Sequence, residues 1–85
     1  MDDLVRRRAP QSCAGKQLRE RFASNVRQLR RAKGLTQEQL ARAAAIGRPF
    51  LSRIERGHFS VTLETVGALA DALEISPATL ITANR

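Results

Sequence analysis

Apolar residues recur at helical spacing along the second fifth of the chain. Their steps of four, four and three residues place them on one stripe of a helix. The stripe consists of Leu18, Phe22, Val26 and Leu29. Arginines fill many of the other positions, and Gly34 follows where a left-handed helix end is expected. The pattern therefore predicts a first helix over residues 17–33.

Four shorter helices are predicted from their first turns. Each has a residue suited to the N-cap, with one apolar residue directly before it and another four positions into the helix, as in a hydrophobic staple. The N-caps are Thr36, Gly47, Thr62 and Ser76, and the staple pairs are Leu35 with Leu40, Ile46 with Leu51, Val61 with Val66, and Ile75 with Leu80. Gln39 completes a capping box, and Pro49 and Pro77 stand in first turns, where a missing N–H costs nothing. Together these signals predict an all-α protein, a compact five-helix bundle.

The second and third predicted helices form the most informative pair. Each has about nine residues, and a tight three-residue turn separates them, which is the spacing of a helix-turn-helix unit. An ordinary corner between two helices of any small bundle is the alternative.

Residues 1–16 differ from the rest of the chain. They show no apolar periodicity and contain Pro10, Gly15 and the run Arg6-Arg7-Arg8. We expect a flexible N-terminal arm over 1–16 and one helix-turn-helix domain over 17–82, with the fifth helix serving dimerisation.

Charge then suggests a partner. The 85 residues suffice for one small domain, and they carry a net charge of +7. Residues 1–58 hold 14 basic and 5 acidic residues, a net +9, whereas residues 59–85 hold 1 basic and 3 acidic residues, a net −2. A general basic bias of composition would not leave the last third acidic, so the basic part indicates a polyanion, most often nucleic acid.

Several classes of function are excluded. The longest apolar runs fall far short of the 18 residues of a membrane span, and the N-terminus has no signal-peptide core. Cys13 is alone, so neither an internal disulfide nor a cysteine–histidine metal site is expected, and a reducing cytoplasmic setting fits best. Because no nucleophile, carboxylate pair or phosphate-binding loop is evident, we expect no enzyme, cofactor or small-molecule ligand.

Three motifs in chain order carry a resemblance to a known family. They are RQLRRAKGLTQEQLA at 27–41, LSRIERG at 51–57, and TLETV with LADAL between 62 and 73. Together they resemble the Cro/phage-repressor-type helix-turn-helix family, over about residues 18–81, and imply a lambda-repressor-like DNA-binding domain. The size and the Phe59–Leu63 loop also resemble restriction-modification controller proteins. The chain departs from the family at Ala45, where glycine is usual, and at Gly47, where serine or threonine is preferred; a left-handed alanine costs on the order of 1 kcal/mol.

The resemblance implies roles for particular residues. Base edges would be read from the third helix by Arg48, Pro49, Ser52 and Arg53, since arginine can bind guanine O6 and N7 together. Phosphates would be bound by Thr36, Gln37, Arg42, Arg56 and His58. Arg30 and Glu55 match a pair that ties the first helix to the third, and Phe50 is either a core residue or an apolar contact in the groove.

Self-association is expected at the acidic end of the chain. Leu80 and Ile81 are adjacent, so their side chains point about 100° apart and one core cannot easily bury both. Leu80 is in staple register and should face inward, which leaves Ile81 partly exposed. The predicted dimer interface comprises Phe59, Val61, Leu80 and Ile81.

The sequence thus predicts a sequence-specific DNA-binding transcriptional regulator that binds a two-fold operator in double-stranded DNA as a homodimer, with its third helix in the major groove. An antitoxin-type protein-interaction module that also binds DNA, and a non-specific nucleic-acid binder, are the alternatives.

Overall fold

The computed structural model describes residues 13–58 and 60–82, which form five α-helices and no strand. The helices are α1 (Cys13–Ala32), α2 (Gln37–Ala44), α3 (Arg48–Glu55), α4 (Leu63–Leu73) and α5 (Pro77–Ile81). The predicted all-α, five-helix fold class is therefore confirmed. Within the described ranges, no helix has the length and hydropathy needed to cross a membrane.

The first helix begins earlier than its apolar stripe indicates. It starts at Cys13 rather than near Gln17, because alanine, lysine and glutamine extend an existing helix at little cost even without packing. Leu18, the first member of the predicted stripe, is 46% exposed, so α1 enters the core only from Phe22 onward. The remainder of the expected arm, Arg6, Arg7 and Arg8 included, lies outside the described residues.

Helix starts follow the predicted caps. The Thr36 hydroxyl accepts from the Gln39 amide at 3.0 Å, and the Gln39 side chain accepts from the Thr36 amide at 2.9 Å, which completes the capping box. Thr62 and Ser76 cap α4 and α5 by a side-chain contact alone, each hydroxyl accepting from one amide, that of Thr65 and that of Ala78. Only Gly47, before α3, provides no side-chain cap among these four starts.

Three of the connections share one design. Each consists of a left-handed residue, an apolar residue and the next N-cap, in the segments Gly34-Leu35-Thr36, Ala45-Ile46-Gly47 and Glu74-Ile75-Ser76. The amide of the apolar residue bonds a carbonyl five residues back, as in a Schellman motif, for example Ile46 to Ala41 at 2.9 Å. The same apolar residue therefore ends one helix and starts the next, which keeps the turns to three residues.

The core lies where all five helices converge. Its buried apolar side chains are Phe22, Ala23 and Val26 of α1, Leu40, Ala41 and Ala44 of α2, Leu51 and Ile54 of α3, Leu69, Ala70 and Leu73 of α4, and Leu80 of α5. Phe50 is half-buried and packs against this cluster, which favours the core alternative for that residue. Helix α1 packs on α3, α4 and α5, while α2 packs on α3 and α4, so α3 is supported from two sides.

Ala45 carries backbone strain in the turn that sets the angle between α2 and α3. Its φ of 59° lies in the left-handed region, and its side chain is exposed. We expect Ala45→Gly to raise the free energy of unfolding by roughly 0.5–1 kcal/mol, since the relief of strain exceeds the added entropy of the unfolded glycine. Urea denaturation measures this. Ala43→Gly, at an exposed helical position in α2, is the matched control and should lower the same quantity by roughly 0.5–1 kcal/mol; a destabilised Ala45→Gly would contradict the assignment of strain.

Candidate nucleic-acid interface

Helix α3 presents a basic face to solvent. Its buried side holds Leu51, Ile54 and Glu55. Pro49, Arg53 and Arg56 lie on the opposite side by helical spacing and are exposed, as is Arg48 at the first position. Ser52, at the edge of this face, is half-buried. Arg48, Pro49 and Arg53 of α3 and its C-cap residue Arg56, all predicted to contact DNA, are thus exposed together on this face.

The carboxylate of Glu55 lies inside the angle between α1, α2 and α3. The residue is 2% exposed, and Arg30 of α1 binds it with both parts of its guanidinium: Nε to Oε2 at 2.7 Å and Nη2 to Oε1 at 3.1 Å. Such bidentate, charge-assisted contacts are among the strongest that side chains form. The structure therefore contains the ion pair that the resemblance implies for Arg30 and Glu55.

Two further donors hold the same residue. The Gln37 amide nitrogen, at the first position of α2, donates to Glu55 Oε1 at 3.0 Å. Arg27 of α1 donates through Nη1 to the main-chain carbonyl of Glu55, at the C-terminal end of α3, where a cation also interacts well with the helix dipole. Arg30 also donates through Nη1 to the Leu35 carbonyl at 2.9 Å, which ties the α1–α2 turn to the same cluster. The side chain of Glu55 is thus linked to α1 and α2, and its main-chain carbonyl is linked to α1.

These added contacts leave no signal in the sequence. The resemblance implies only a phosphate contact for Gln37, and Arg27 is one of several arginines on α1. A pair formed between residues 18 or 28 positions apart shows no helical periodicity, so spacing cannot reveal it. The amide nitrogen of Gln37 carries two hydrogens, and Glu55 takes one, so the predicted phosphate contact stays compatible with the geometry.

The other candidate phosphate ligands lie around α2 and α3. Thr36 and His58 are exposed, at the start of α2 and after the end of α3. Arg42, on the last turn of α2, has an 80% exposed side chain and only a 3.5 Å contact with Glu38. A mainly solvated arginine pair of this kind is worth little, so it does not prevent Arg42 from meeting a phosphate.

The predicted dimer residues have different surroundings. Leu80 is fully buried in the core of its own chain, so its placement in the interface was wrong: its side chain anchors α5 and is unavailable to a partner. Ile81 is 48% exposed, as the adjacency argument predicts, and Val61 is half-buried. Phe59 lies outside the described residues. Leu63, at the first position of α4, is 87% exposed. Sequence reasoning missed this exposed apolar residue because it lies between the N-cap and the apolar stripe, and neither pattern includes it.

The sequence of this chain matches a known family and is similar to known proteins. The model of a family described as "Helix-turn-helix" matches residues 26–80. An uncharacterised HTH-type transcriptional regulator of Sinorhizobium fredii is 40% identical over 65 residues, which cover 76% of this chain and 84% of the relative.

Solved structures agree with these matches. The chain is similar to the restriction-modification controller protein C.AhdI of Aeromonas hydrophila, with 40% identity, a TM-score of 0.71, and coverage of 73% of this chain and 94% of the other. It is also similar to C.Esp1396I, a controller protein solved as a tetramer in complex with its natural 35-base-pair operator, with 28% identity, a TM-score of 0.69, and coverage of 74% and 83%.

The contacts of Glu55 with Arg27, Arg30 and Gln37, here called the Glu55 cluster, predict a large stability effect. We expect Glu55→Gln to lower the free energy of unfolding by about 2–4 kcal/mol, because it leaves the mostly buried guanidinium of Arg30 without its counter-charge. Urea denaturation measures the loss. Glu38→Gln is the matched control: its pair with Arg42 is exposed on both sides, so a change below about 0.5 kcal/mol is expected. Equal effects of the two substitutions would contradict the central role of Glu55.

Proposed function

Because the chain belongs to the helix-turn-helix family, we propose that it is a sequence-specific transcriptional regulator that binds a two-fold DNA operator as a homodimer. The observation that carries the proposal is the exposed basic face of α3, held at a fixed position by the buried Glu55 cluster. A side chain reads bases only from a helix whose own position is fixed, and contacts from α1 and α2 provide that here. The same function is supported by its similarity to an HTH-type transcriptional regulator and to a restriction-modification controller protein.

In this mechanism α3 enters the major groove and α2 lies across the phosphate backbone. Arg48 and Arg53 read base edges, since a guanidinium can donate two hydrogen bonds to guanine. Ser52 donates or accepts at the edge of the same face, and Pro49 contacts a thymine methyl or a sugar. Each of these positions lies on the exposed part or the rim of α3.

Phosphate contacts fix the register of the protein on DNA. Thr36 and Gln37 stand at the N-terminus of α2, where amide groups and the helix dipole favour a phosphate. Gln37 bridges a phosphate and Glu55, which couples the backbone contact to the placement of α3. Arg42, Arg56 and His58 extend the contacts to either side.

The operator-bound C.Esp1396I tetramer supports binding by more than one copy. For this chain we propose a two-fold dimer formed around Ile81, which lies in the acidic third of the sequence, where a second basic subunit is not repelled. Such a dimer places its two α3 helices about one DNA turn, ~34 Å, apart, so each reads one half-site.

Base reading by Arg53 is tested with an operator selected from random-sequence DNA. We expect Arg53→Ala to weaken operator binding by about 1–3 kcal/mol and to relax the base preference at one position of each half-site, while binding to random DNA changes little. Titrations at one fixed salt concentration measure both affinities. Arg42→Ala is the control, because loss of a phosphate contact should weaken both DNAs alike. If Arg53→Ala lowered the affinity for operator and for random DNA equally, Arg53 would be a phosphate contact and not a base contact. A wild-type protein that bound both DNAs with the same affinity would be a non-specific binder.

The dimer surface is tested by introducing a charge at Ile81. We expect Ile81→Glu to stay helical by circular dichroism, to sediment as a monomer, and to lose affinity for a full two-fold site much more than for a half-site, because a buried unpaired charge opposes association. Leu63→Glu is the matched control at another exposed apolar residue and should remain a dimer. If Leu63→Glu were a monomer and Ile81→Glu remained a dimer, the interface would lie at the start of α4 and not around Ile81.

A further inference from the structure

Asn25 is a buried polar residue that neither the basic face nor the Glu55 cluster uses. It lies on α1, is 4% exposed, and points its amide nitrogen at the C-terminal end of α5. That nitrogen is 2.8 Å from the Leu80 carbonyl oxygen, 2.9 Å from that of Thr82 and 3.4 Å from that of Thr79. Its two hydrogens match the two short contacts, so Leu80 and Thr82 are the main acceptors.

Helix α5 requires such a partner because it is very short. With five residues, its last carbonyls have no amide ahead of them in the helix to bond. Carbonyls that face a buried side chain and lack a hydrogen bond are costly. The Thr82 hydroxyl satisfies the Ala78 carbonyl at 2.6 Å, and Asn25 satisfies the carbonyls that follow. An asparagine from another helix thus acts as the C-terminal cap of α5.

The two main acceptors are the neighbours of Ile81 on either side. Leu80 directs its side chain into the core with no exposed area, while Ile81 is 48% exposed. Because Asn25 holds the carbonyls of residues 80 and 82, it fixes the backbone on both sides of Ile81. The direction in which Ile81 projects from the surface depends on that backbone.

We propose that Asn25 is a positioning residue for self-association: its amide locks the end of α5 onto α1 and so orients Ile81 toward a second copy of the chain. The inference rests on the dimer of the proposed function and assigns Asn25 no contact with the partner or with DNA. Core burial of Leu80 alone is the competing explanation for how α5 is held.

The test compares Asn25→Ala with Asn25→Asp in sedimentation equilibrium of the full chain. The aspartate has nearly the same shape but presents a carboxylate to carbonyl oxygens and cannot donate. A donor role therefore predicts at least a tenfold weaker dimer for Asn25→Ala and an equal or greater loss for Asn25→Asp. A role in packing alone predicts that Asn25→Asp is the milder change. Ser24→Ala, at the neighbouring position, is the control and should leave the dimer constant unchanged.

Two further readouts separate a local effect from general destabilisation. Hydrogen exchange should accelerate at the amides of residues 79–82 in both variants, while exchange in α2 and α3 stays as in the wild type. Binding to a DNA half-site should remain within twofold, while binding to the full site falls with the dimer.

Each outcome decides the proposal. Dimers of normal strength in both variants, or Asn25→Asp milder than Asn25→Ala, would overturn the role of Asn25 while leaving the proposed dimer intact. A monomeric wild-type protein would instead refute the dimer itself, and the inference with it. Unfolding of both variants throughout the chain, with uniformly fast exchange, would show that Asn25 supports the whole fold and would also overturn the local role.

Discussion

The buried carboxylate of Glu55 is the point at which three helices are joined. A charge that is 2% exposed is tolerable only when it is paired and fully hydrogen-bonded, and here the partners come from α1 and α2. The basic half of the chain would otherwise bring several guanidiniums together without compensation. Glu55 pairs with Arg30 through its carboxylate and accepts from Arg27 through its main-chain carbonyl, so both arginines support α3, while Arg48 and Arg53 on the outer face of that helix are exposed.

Three of the connections between helices also restrict how the helices can be oriented. An apolar residue that closes one helix and starts the next leaves no room for a flexible loop between α1 and α2, between α2 and α3, or between α4 and α5. In two of these turns the left-handed residue is not glycine but Ala45 or Glu74. The fold therefore accepts local strain to keep three-residue turns, which fix helix directions more tightly than longer loops would.

Much of this architecture could be predicted from the sequence, because caps and staples act over four or five residues. Thr36, Thr62 and Ser76 each start a helix where the local pattern indicates it. The early start of α1 could not be predicted, since its first turn has no apolar period to read. The partners of Gln37, Arg27 and Asn25 were also hidden, because polar contacts between distant segments carry no spacing signal. The exposed face of α3 follows from helical spacing and the Arg30–Glu55 pair from the family resemblance, whereas the contacts of Gln37 and Arg27 with Glu55 follow from neither.

The cap on α5 has a consequence for the order in which the molecule is completed. Asn25 is synthesised 54 to 57 residues before the carbonyls it binds. At about 5–20 residues per second, a ribosome needs about 3–11 s to cover that distance. During this interval the rest of α1 and all of α2 to α4 are synthesised, and the amide of Asn25 has none of its α5 acceptors to bind. Among the described helices α5 is synthesised last, so Asn25 can hold the backbone on either side of Ile81 only after α1 to α4 have been made.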